Sequence, residues 1–253
     1  MHFFFHQRSG ESPPAAEPVA TVFPQITGAE IAASFAGGRV AGDFYDAVRV
    51  SPERVLFGLL DLTGGQEEAR PLLSVAQNAF RTLGSELFSR ADINESDAMA
   101  ELCLRINRDL IEASAAVNSC PAFIGCYHEK FGTLCYTNAG HTPGLLRDKT
   151  GITELGSTGL PLGLFSHATS DAPIVALEKG SLVLLVSRGV VESRDHDKVT
   201  AEFGLERVKE LLRQAPSAGA QALCNSLLNA VSDFYKESPL HDDRTALALI
   251  RTA

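Results

Sequence analysis

The chain reads as an α+β fold, a layered sandwich with antiparallel strands, on three observations. Short apolar runs recur early, midway and at the end; helical stripes fall in blocks between them; and two runs are joined by the short turn from Lys130 to Gly132. A strictly alternating parallel fold would interleave single strands with single helices, which this order does not.

The strand expectations are Glu30–Ala36, Phe44–Val50, Val55–Leu62, Ala122–His128, Thr133–Asn138 and Ser181–Ser187, short runs rich in Val, Leu, Phe, Tyr or Ile and bounded by Gly, Pro or Asp, with Arg244–Arg251 as a further strand that closes the chain. Val55–Leu60 and Leu182–Val186 are almost wholly apolar, as expected of central strands covered on both faces. Helical spacing links Leu72, Ala76, Ala79, Leu83 and Leu87; then Met99, Leu102, Ile106 and Leu110; and later Leu223, Leu227, Val231 and Phe234. A shorter helix is expected over Leu205–Leu212. Residues 1–21, with the Ser-, Pro- and Glu-rich stretch Gln7–Pro18, read as a flexible arm, and 22–253 as one folded domain.

Composition narrows the function. Of 253 residues, 45% are hydrophobic and 21% charged, which suits a globular protein, and the net charge of −9 argues against a nucleic-acid or anionic-membrane partner. No run approaches the roughly 18 apolar residues of a membrane span, and Met1–Gly10 lacks an export signal, so a cytoplasmic location is expected. Five cysteines without C-x-x-C spacing read as reduced core thiols. His-Glu-x-x-His, Gly-x-Ser-x-Gly and Walker patterns are all missing.

The aspartates carry more information. Asp43 and Asp46 flank Phe44 and Tyr45, Asp61 ends the apolar run Val55–Leu60, and Asp242 and Asp243 precede the last strand. A carboxylate at the end of a buried strand is costly unless something positive offsets it, and hard divalent cations favour such oxygen ligands. The competing reading is that each aspartate is a turn former or cap.

Ala41-Gly42-Asp43-Phe44-Tyr45-Asp46 and five later motifs, ending with Asp242-Asp243-Arg244-Thr245, resemble in order the signatures of the bacterial SpoIIE/RsbU-like branch of the metal-dependent protein phosphatases, relatives of protein phosphatase type 2C. Ala41-Gly42-Asp43-Phe44-Tyr45-Asp46 resembles G-G-D-F-Y-D, and Leu60-Asp61-Leu62-Thr63-Gly64 resembles D-V-S-G-H-G. Asn138-Ala139-Gly140-His141-Thr142-Pro143, Gly159-Leu160-Pro161-Leu162-Gly163, Phe203-Gly204-Leu205-Glu206-Arg207 and Asp242-Asp243-Arg244-Thr245 resemble the later signatures. The resemblance implies a four-layer α-β-β-α sandwich of two antiparallel sheets with a metal site at one edge. It implies Asp43, Asp61 and Asp242 as catalytic metal ligands, the Leu62 carbonyl as a further ligand, and one or two Mn2+ or Mg2+ ions. It also implies hydrolysis of phosphoserine or phosphothreonine on a regulatory protein, such as a phosphorylated anti-sigma-factor antagonist, through a metal-activated water. A homodimer is left open.

Two departures stand out. Where the family has Thr-Asp-Gly, this chain has Ser187-Arg188-Gly189, so a guanidinium stands where the resemblance expects a ligand; it is expected to fill the vacated cation position and pair with Asp242 or Asp61. Gly65-Gln66 also replaces the family's His-Gly. Arg188, Asp46 and Asp243 are therefore expected to modify the site, and the alternative is a pseudophosphatase that binds a partner without hydrolysis. His141 is expected to be structural; His241 could donate a proton and Arg39 could bind phosphate, set against the plainer reading of Arg39 as a solvated loop residue.

Overall fold

The computed structural model describes residues 21–37, 42–62, 66–114, 119–192, 202–215, 219–235 and 242–253. The expected arm Gln7–Pro18 lies outside them.

In chain order the elements are β1 (Ala29–Ala36), β2 (Gly42–Ser51), β3 (Arg54–Leu62), α1 (Gln66–Phe88), α2 (Glu95–Ala113), β4 (Ala122–His128), β5 (Thr133–Ala139), β6 (Gly144–Asp148), β7 (Gly151–Leu155), β8 (Ile174–Ala176), β9 (Leu182–Val186), α3 (Arg188–Val191), α4 (Gly204–Gln214), α5 (Ala220–Tyr235) and β10 (Arg244–Arg251). They form two five-stranded sheets, ordered β1-β10-β9-β6-β7 and β2-β3-β4-β5-β8. Every pairing within them is antiparallel.

Strand alternation explains the layers. Along β3, Leu56 and Leu60 join α1 and α2 residues such as Phe80, Met99 and Ile106 in one core. Phe57 and Leu59 face the other way and meet Leu185, Leu247 and Leu249 between the sheets. On the outer side of the first sheet, Leu184, Ala246 and Ala248 pack on Val208, Leu212, Leu227 and Val231 of α4 and α5. The result is helix, sheet, sheet, helix. All nine residues of β3 are buried, which is why its sequence is apolar without alternation.

Polar contacts fix the joints. Asn94 caps α2 by accepting from the amides of Ser96 at 3.1 Å and Asp97 at 3.4 Å, with Glu95 and Asp97 suiting the helix N-terminus. Buried Arg54 pairs with Glu95 at 2.6 Å and donates to the carbonyls of Arg90 and Ala91, tying β3 to the turn between α1 and α2. Gly132, at φ 62°, closes the β4–β5 turn in a conformation that suits glycine.

The structure adds elements that the sequence pattern hides. The β6–β7 hairpin turns through Lys149 and Thr150, and β8 has three residues and largely exposed side chains, so neither shows a strong apolar period. All five cysteines are buried and free. Among the described residues, no helix is long and apolar enough to cross a membrane.

Candidate metal centre

The row that fills the space between the sheets runs out at one edge, and polar side chains take over. On β3 the sequence Phe57, Leu59, Asp61 occupies one face; on β10 Leu249, Leu247, Thr245 does the same. Asp43 on β2 is the direct cross-strand partner of Asp61. Ser187 follows β9, Arg188 opens α3, and Asp242 and Asp243 lead into β10. Four separate chain segments thus bring these groups to one sheet edge.

Asp43 is held by hydroxyls. Thr245 Oγ1 donates to its Oδ2 at 2.6 Å, while the Asp43 amide donates to Asp243 Oδ2 at 3.3 Å. Removal from water pushes the Asp43 pKa well above the usual carboxylate range; hydrogen bonds from Thr245 and Ser187 oppose the shift, and the Asp61 and Asp243 charges add to it. Buried Asp61 donates its amide to the Pro121 carbonyl at 2.8 Å, so its backbone is fixed. Its Oδ2 lies 3.5 Å from Arg188 Nε, while its buried Oδ1 has no hydrogen-bond partner among the described residues. Burial raises the Asp61 pKa; Arg188 opposes this, and Asp242 and Glu192 reinforce it.

Arg188 bridges the two acids, its Nη2 lying 3.5 Å from Asp242 Oδ2. The contact to Asp61 has ion-pair distance without hydrogen-bond alignment, and the guanidinium side chain is 42% exposed, so solvent weakens both pairs. Asp242 Oδ1 also accepts from the Asp243 amide at 3.0 Å. Leu62 is buried at the end of β3, opposite Gly42.

Two expectations need correction. Asp46 does not modify this site: it lies three positions from Asp43 along β2, an odd offset, so the two side chains leave opposite faces. Its carboxylate accepts from Arg81 Nε at 2.6 Å, Arg81 Nη2 at 3.1 Å, Gln77 Nε2 at 3.4 Å and the Ala47 amide at 2.9 Å, fastening α1 to the sheet. Nor do three acids converge on one point: among the described residues, no group of three or more His, Cys, Asp or Glu side chains is placed to hold a metal. Arg188 stands between Asp61 and Asp242, and the Thr245 hydroxyl holds Asp43.

His141 is buried and structural in its contacts: its amide donates to Asn138 Oδ1 at 2.8 Å and Nδ1 lies 3.1 Å from the Thr142 carbonyl. Arg39, His241 and the Thr63–Gly65 turn fall outside the described residues. Sequence reasoning missed the second layer around Asp43, namely Thr245 and Ser187, although strand alternation from Leu247 would have found Thr245. It also missed the tight seat of Gly189, where an added Cβ would stand 2.0 Å from the Asp243 carbonyl oxygen.

The residues fit one cation better than two. Asp43 and Asp61 face each other across β2 and β3, are raised in pKa chiefly by burial, and leave one buried carboxylate oxygen unpartnered. On the Asp61–Asp242 side the positive charge is already present as Arg188.

Comparison with known proteins agrees with this frame. Residues 51–252 match the family model for Stage II sporulation protein E (SpoIIE). The phosphoserine phosphatase RsbU of Bacillus subtilis (strain 168) is 26% identical over 238 residues, a match covering 92% of this chain and 66% of that protein, so the chain spans just under two thirds of this relative. The RsbU and RsbW domains of a Mycobacterium tuberculosis protein superpose with a TM-score of 0.67 at 25% identity, over 89% of this chain and 60% of that one. The SiaA-PP2C domain of Pseudomonas aeruginosa gives a TM-score of 0.73 at 17% identity, over 87% and 84%. With four fifths of its length inside one family model, and with two antiparallel sheets carrying acids to a shared edge, the chain belongs to the SpoIIE family and has the PP2C-type phosphatase fold.

Proposed function

We propose that this chain is a metal-dependent serine/threonine protein phosphatase that hydrolyses phosphoserine or phosphothreonine on a regulatory protein. The observation that carries the proposal is the under-neutralised pair of Asp43 and Asp61, with Asp61 Oδ1 buried and unpartnered. The likeness to a named phosphoserine phosphatase supports the reaction, and the RsbU–RsbW pairing in a structural relative supports a phosphorylated partner-switching protein, such as an anti-sigma-factor antagonist, as substrate.

Asp43, Asp61 and the Leu62 carbonyl would hold Mn2+ or Mg2+, with Asp242 on the far side of Arg188. A solved relative, RsbX, has been seen with magnesium. Bound there, the ion would supply Lewis acidity, lowering the pKa of water and offsetting phosphoryl charge. The Thr245 hydroxyl fixes the orientation of the Asp43 carboxylate. Arg188 neutralises Asp61 and Asp242 and keeps exposed N–H groups that can take phosphoryl oxygens and turn the ester for in-line attack by water. The P–O bond to the seryl or threonyl oxygen breaks, the alcohol leaves with a proton, and no covalent phosphoenzyme forms. A partner-binding pseudophosphatase is the weaker reading, because Arg188 leaves Asp43 and Asp61 Oδ1 available.

Phosphate release from p-nitrophenyl phosphate and a phosphoserine peptide is expected only with Mn2+ or Mg2+ present, and Asp43→Asn is expected to lower it by about 100-fold, in line with several kcal/mol of charge stabilisation. Metal-independent turnover, or an unchanged variant, would defeat the proposal.

A further inference from the structure

The mouth of the acidic site carries one large apolar side chain that the two sheets do not bury. Along β1, Ala29, Ile31 and Ala33 turn toward the core between the sheets, and Phe35 continues that row. The residue is nevertheless 47% exposed. Phe35 is the direct cross-strand partner of Thr245, whose hydroxyl holds Asp43. The position that a Cβ on Gly37 would take lies 2.9 Å from the Phe35 ring and 3.8 Å from Asp243 Oδ1, so ring and carboxylate border the same small space.

An exposed phenylalanine forgoes the gain of burial, and its place beside the acids suggests what recovers it. The chain carries a net charge of −9 and a phosphorylated segment is itself anionic, so long-range attraction does not favour the encounter. Affinity for such a substrate then rests on short-range contacts, and the Phe35 ring offers an apolar one at the site edge. We propose that Phe35 determines substrate specificity by seating an apolar side chain that flanks the phosphorylated residue; this rests on the phosphatase reading above.

The test uses the full chain with Mn2+ and two phosphoserine peptides that differ only in the flanking residues, leucine in one and aspartate in the other. Wild type is expected to favour the leucine peptide about tenfold, Phe35→Ala to lose that preference through KM, not kcat, and Phe35→Leu to recover part of it. Fluorescence anisotropy with the same labelled peptides reads binding separately. Discrimination in binding that disappears in Phe35→Ala, without hydrolysis of either peptide, would overturn the phosphatase reading and uphold this one. A wild type indifferent to the flanking residues, a Phe35→Ala variant that keeps the preference, or an equal loss of kcat on both peptides would overturn it.

Discussion

Asp46 and Asp61 are both buried carboxylates in adjacent strands of one sheet, yet their surroundings differ in kind. Four donor contacts from Arg81, Gln77 and the Ala47 amide share the two oxygens of Asp46. Asp61 has one ion pair at 3.5 Å, a bare Oδ1, and Asp43 as its cross-strand neighbour. A fully compensated buried charge belongs to the scaffold. A buried charge left short of partners, with its pKa raised by burial, keeps electrostatic capacity for something that arrives.

Mutation should separate the two. Removing Asp46 strands Arg81 and the Ala47 amide, and Asp46→Ala is expected to lower the unfolding free energy by about 3 kcal/mol, the low end for breaking a buried pair because Arg81 is about one-third exposed. Asp61→Asn removes a charge that the fold already disfavours and should leave the metal-free protein at least as stable. Urea unfolding of both variants without metal checks this, and the reverse ranking would break the comparison.

His141 sharpens it by isolating desolvation from charge crowding. Burial pushes its pKa down to about 4, so the unfolded chain takes up the proton first. The associated stability is complete above the unfolded value of 6.5 and is lost as pH falls toward about 4. From pH 7 to pH 5 wild type should lose on the order of 2 kcal/mol more than His141→Gln, at roughly 1.4 kcal/mol per pH unit. Parallel pH dependence of the two urea midpoints would show that His141 does not titrate this way.

Much of this frame is legible in the residues. The unbroken apolar run of β3 announces a strand covered on both sides, and the aspartate at its end announces a cost that needs a counter-charge. Strand alternation also separates Asp43 from Asp46, so grouping them by closeness in sequence overlooked a period that was there to read. The Arg81 partner of Asp46 lies 35 residues away across a helix, and no local pattern points to it. Weak signals lost β6, β7 and β8, which are short, β7 and β8 being largely exposed as well. The opposed register of Asp43 and Asp61 follows only once β2 and β3 are paired.

Calorimetric titration of Mn2+ into the wild-type chain, Asp61→Asn and Arg188→Asp tests the central claim most directly. Heat of binding should appear in wild type, vanish in Asp61→Asn, and report about tenfold tighter binding in Arg188→Asp, where a fixed positive charge gives way to a ligand. A wild type that takes up no ion, or an Asp61→Asn variant that binds as wild type does, would contradict it.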